Sequence, residues 1–146
     1  MRRSISLLVP VLIAAACTDP PDANPGDAAP RASVVGTLTL PGPTTGKPFS
    51  VRILSMAGVP NLAPVGEATG QTSGSTSLPY TIPSVPAGTY FILAFVDVDA
   101  SGGQSSTPGD QAGWYGHTGD GNPPAMPNAT VPTTGTARFD FSLVVR

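Results

Sequence analysis

The stretch GTYFILAFVDV (88–98) restricts the fold more than any other part of the chain. It is apolar on both alternating faces as far as Val96, and a strand of that kind lies inside a sheet that is covered on both sides. The turn Pro86-Ala87-Gly88 sets its start, and it runs out into Asp97, Val98 and Asp99.

The rest of the chain supplies partners for such a strand and no helices. There are 17 glycines and 18 prolines, only 11% of residues are charged, and Ser and Thr are frequent, which together suit an all-β fold with many turns. SVVGTLTL (33–40) ends at the turn Pro41-Gly42. In KPFSVRIL (47–54), Phe49, Val51 and Ile53 alternate with Ser50 and Arg52, the period of a strand with one buried face. A weak strand is expected at 65–69. SLPYTIPSV (77–85) places Leu78, Tyr80 and Ile82 on one side, and its prolines mark an edge or kinked strand. NATV (128–131) and TARFDFSLVV (136–145) flank Pro132-Thr133-Thr134-Gly135 and are expected to form a hairpin. Helical periodicity is absent beyond the N-terminus. About seven short strands over 34–146 predict one antiparallel, Ig-like β-sandwich with a single core.

Three segments, VVGTLTL, SLPYTIPSVPAGTYFILAFVDVD and NATVPTTGTARFDFSLV, resemble the carboxypeptidase regulatory-like domains and their transthyretin-like relatives. The turn Val85-Pro86-Ala87-Gly88-Thr89-Tyr90 before the best strand is similar to one that recurs in that family. The resemblance implies a prealbumin-like sandwich and no reaction, because such domains serve structural, adhesive or ligand-binding roles. The long connection 99–127 departs from the family's simpler members.

The N-terminus has the order of an export signal. Arg2 and Arg3 precede an apolar stretch, Ile5 to Ala16, that ends in small residues. At 12 residues it falls short of the ~20 that span a bilayer. The residues around Arg2-Arg3 do not match a twin-arginine motif, so the pair reads as ordinary positive charge. Ile13-Ala14-Ala15-Ala16-Cys17 resembles the lipobox of bacterial lipoproteins, with Ala14 where that family prefers Leu. The resemblance implies that residues 1–16 are removed and that Cys17, the only cysteine, receives a lipid. Residues 17–33, rich in proline and nearly devoid of apolar side chains, then form a disordered tether. Thr18 follows Cys17 where an Asp would retain the protein in the inner membrane, which favours the outer membrane.

Without Arg2 and Arg3, five basic side chains stand against nine acidic ones. A mildly acidic domain with no basic cluster offers no footprint for nucleic acid.

Two clusters carry candidate chemistry. Asp97, Asp99, Ser101 and Gly102 echo the start of a calcium loop, with Asp110 as a further ligand. Pro108 stands where the bidentate Glu of such a loop belongs, and Thr107-Pro108-Gly109-Asp110 is itself a turn sequence. The alternative is an Asp/Gly turn whose carboxylates accept from local amides. Second, Trp114 and Tyr115 on a Gly-flanked loop could stack on a sugar ring, or Trp114 could plug one end of the sandwich. His117 is the only histidine, and no Gly-x-Ser-x-Gly motif is present, so a catalytic dyad has nothing to assemble from.

The expectation is a lipid-anchored protein of the bacterial cell envelope with a non-catalytic structural or interaction sandwich. Its partner would be an envelope protein or polysaccharide. The alternative is a carbohydrate-binding module, with calcium as a stabilising ion.

Overall fold

The computed structural model describes residues 29–56, 62–102, 107–117 and 122–146. Cys17, the expected signal and most of the expected tether lie outside them. Among the described residues no helix is long and apolar enough to cross a membrane.

Among the described residues, ten strands form two sheets packed face to face: β1 (Arg31–Thr39), β2 (Thr45–Ser55), β3 (Ala63–Ser73), β4 (Ser77–Pro86), β5 (Gly88–Val96), β6 (Gln111–Trp114), β7 (Ala129–Val131), β8 (Thr136–Arg138), β9 (Phe141–Ser142) and β10 (Val144–Val145). The smaller sheet has the order β4-β1-β8, with β9 also on β1; the larger has the order β10-β6-β5-β2-β3, with β7 on β5. The all-β sandwich expected from the sequence is present, built from ten short strands where about seven were expected. Strand β1 begins at Arg31, inside the stretch read as tether, and Ala32 is already buried.

Strand β5 is central, as its two apolar faces require. Residues 91–96 pair with β2 on one side, and residues 93–96 pair with β6 on the other. Its Ile92, Ala94 and Val96 join Val51 and Ile53 of β2 and Val34, Leu38, Leu78, Tyr80 and Ile82 of the other sheet in the main core. Its opposite face carries Phe91, which forms a second apolar cluster with Leu54 and Trp114. Burial of these side chains is the main favourable term, at about 1.5–3 kcal/mol for each large apolar residue.

Within the smaller sheet, the neighbours of β1 crowd in on Gly36, which stands opposite Tyr80 of β4. A methyl group there would collide with the Phe139 carbonyl and with the Tyr80 ring, which lies 2.6 Å from the position of such an atom. Only glycine leaves room for them.

Four expectations change. The weak strand at 65–69 is an 11-residue edge strand, β3, paired with β2 along nearly its whole length. Its side chains are mostly exposed, so its pattern carried little periodicity; pairing with β2 holds it in place. Strand β6 was hidden in the long connection, where four buried residues gave too short a run to read.

The hairpin of 128–131 with 136–145 does not form: β7 pairs antiparallel with β5 and β8 pairs parallel with β1. Residues 136–145 are also not one strand, because β8 and β9 follow β1 in parallel and β10 then pairs with β6 in the other sheet. Asp140 fills the gap between β8 and β9, its carboxylate accepting from the Thr37 amide at 2.7 Å and from Arg138 Nε at 2.8 Å. Strands that switch sheets in this way form corners of sandwiches.

Candidate functional site

Pairing of β5 with β6 fixes the acidic turn. Val96 stands opposite Gln111, so Asp97, just past β5, and Asp110, just before β6, leave the sheet side by side. Asp97 is held further by its amide, which donates to the Pro48 carbonyl at 2.9 Å. Asp99 follows in the turn, and left-handed φ values at Ala100 (58°) and Gly102 (74°) fold the backbone back over the carboxylates. Carboxylate oxygens of Asp97, Asp99 and Asp110 lie within 4.8 Å of one another. Asp97 and Asp110 are buried and Asp99 is exposed.

Amides of the turn donate to five of these six oxygens, and the Thr107 hydroxyl lies between Asp99 and Asp110. Asp97 accepts from the amides of Ser101 (3.0 Å) and Gly102 (2.9 Å). Asp99 accepts from the Ser101 amide (2.9 Å) on one oxygen, and its other oxygen lies 3.2 Å from the Thr107 hydroxyl, whose single proton goes to the nearer Asp110. Asp110 accepts from the Val98 amide (2.8 Å) on one oxygen, and from the Thr107 amide (2.7 Å) and hydroxyl (2.9 Å) on the other. Hydrogen bonding to Ser101 holds the Asp99 carboxyl below its ordinary range. Burial pushes the Asp110 carboxyl up, but the bonds from Thr107 and Val98 outweigh it, so this group too is held below its ordinary range. The structure thus brings together Asp97, Asp99 and Asp110, and Ser101 contributes its backbone amide.

Trp114 and Tyr115 do not form a stacking platform. As neighbours at the end of β6 they point to opposite faces of the larger sheet. Trp114 is 9% exposed and meets Phe91 edge-on at 6.2 Å. Tyr115 packs on the main core, edge-on to Phe139 at 4.9 Å and Phe141 at 6.1 Å. The Gly-flanked loop is a turn closed by the His117 amide on the Trp114 carbonyl, and His117 is half-buried.

The outer face of the larger sheet carries a cleft of about 550 Å³ that no sequence motif marks. Ser50 and Arg52 of β2, Glu67, Thr69 and Gln71 of β3, and Phe95 of β5 line it. Asp97 and Gly102 of the acidic turn stand at its end. Arg52 Nε donates to Glu67 Oε1 at 2.8 Å, and beyond this pair lies a second, apolar cleft formed by Leu54, Leu62, Pro64 and Leu93. No protein-family model matches the chain, and no curated protein or solved structure matches it.

What these sites can do follows from their own groups. Calcium takes 6–8 oxygen ligands, typically several carboxylates, carbonyls and waters. The acidic turn offers three carboxylates, of which the two buried ones, Asp97 and Asp110, are engaged by amides on both oxygens, so the donor set is a poor fit and the Asp/Gly turn reading accounts for the geometry. The cleft is different, since it exposes polar groups that the fold leaves unengaged.

Proposed function

We propose that the chain is an exported lipoprotein, anchored in the bacterial outer membrane through a lipid on Cys17. In this reading the β-sandwich serves as a non-catalytic structural or interaction module. The observation that supports the module reading is the engagement of Asp97, Asp99 and Asp110 by amides of the turn between β5 and β6, which reach five of their six oxygens. The densest group of ionisable side chains among the described residues is therefore built into the scaffold. The anchoring half rests on the order of charge, apolar stretch, small residues and lone cysteine in residues 1–17.

Growth with labelled palmitate tests the anchor. The full chain takes up label and fractionates with the outer membrane, and Cys17→Ser abolishes both. Label that survives the substitution overturns the reading.

A further inference from the structure

We infer that the cleft between the Asp97–Gly102 turn and the Arg52–Glu67 pair binds an uncharged, polyhydroxylated ligand, that is, a short saccharide. The inference deepens the interaction-module reading and rests on it, but not on the lipid at Cys17.

The first support is unused hydrogen-bonding capacity. Ser50 is 5% exposed, yet its hydroxyl has no hydrogen-bond partner. Buried hydroxyls in folded proteins nearly always have one. Ser50 lines the cleft, and its hydroxyl oxygen is buried beneath it. Thr69 and Gln71, at alternate positions on the adjacent edge strand, face the same cleft and make no side-chain hydrogen bond within the described residues. A hydroxyl and a carboxamide each both donate and accept, which matches the dual character of sugar hydroxyls.

The second support is charge. Arg52 and Glu67 neutralise one another across 2.8 Å, and both oxygens of Asp97 are turned to the amides of Ser101 and Gly102. The cleft thus presents neither an uncompensated cation for phosphate or sulfate nor a bare carboxylate for a metal or amine. Glu67 keeps 40% of its side chain exposed and can accept from a ligand hydroxyl while paired. Phe95 adds an apolar surface for the C–H face of a ring. The volume of about 550 Å³ lies within the range of small-molecule sites.

The test is a glycan array probed with the full chain in detergent, followed by calorimetric titration of the tightest glycan with variants. Neutral glycans are retained, and their affinity is insensitive to salt. Thr69→Val/Gln71→Ala weakens binding at least tenfold with an unchanged melting temperature. Ser50→Ala also weakens it without lowering the melting temperature, a result that a purely structural hydroxyl would not give. Retention of no glycan, retention of acidic glycans alone, or affinity unchanged in both variants overturns the inference. Palmitate labelling is independent of all these outcomes, so the failure of one reading is distinguishable from that of the other.

Discussion

The phenol of Tyr80 donates a 2.7 Å hydrogen bond to the main-chain carbonyl of Phe139 inside the core, over the space left by Gly36. This bond ties β4 to the bend where the chain leaves β8. Tyr80→Phe leaves the carbonyl without its buried donor and is expected to lower stability by about 1–2 kcal/mol. Gly36→Ala forces a methyl into the same space and costs more, about 3 kcal/mol or above. Urea denaturation of both variants measures the difference. Burial, reinforced by Asp140, raises the Tyr80 pKa well above its ordinary value of 10.0. The folded state then holds this proton more tightly than the unfolded chain, so its contribution is complete below pH ~10 and declines as pH rises further.

The acidic turn gives the opposite pH dependence. The carboxyls of Asp99 and Asp110 are both held below the ordinary value of 3.8, so the folded state favours their ionised forms. Their contribution is complete above pH ~4 and is lost on acidification through the depressed values. Asp110→Asn replaces an acceptor of three hydrogen bonds with an amide that presents donors to donors. A loss of about 3 kcal/mol at neutral pH is expected, shrinking toward acid, and denaturation series at several pH values check it.

Since amides of the turn fill both oxygens of the two buried carboxylates, Asp97 and Asp110, calcium is not expected to support it. Melting temperatures in chelator and in millimolar calcium should coincide. An upward shift with calcium would show that a cation displaces some of the amide contacts.

Trp114, the only tryptophan in the chain, is a packing residue on the outer face of the larger sheet. Its fluorescence is expected to be blue-shifted and weakly quenched by acrylamide. Trp114→Ala should destabilise the domain by about 3–5 kcal/mol through the cavity left beside Phe91 and Leu54. Red-shifted, readily quenched emission would contradict this.

Elements with strong alternation were legible. The periods of residues 33–40, 47–54 and 77–85 and the two-faced run ending at Val96 placed the core strands. What escaped was pairing rather than strand character. Phe139, Phe141 and Leu143 alternate as one strand would, yet the chain changes sheets among them. Inward-facing apolar residues are needed on either side of such a corner, so the pattern is the same with or without it. The acidic turn was visible as a cluster, but its use as a self-capping device depends on where amides point. Ser50, Thr69 and Gln71 gave no signal, since polar residues on an outer face normally serve only to meet water.

Segment 136–145 runs beside β1 in one sheet and ends on β6 in the other, so neither sheet is complete without it. Its pairings with β1 reach across about a hundred residues, which is slow to organise. A ribosome has therefore synthesised nearly the whole domain before the sandwich can close.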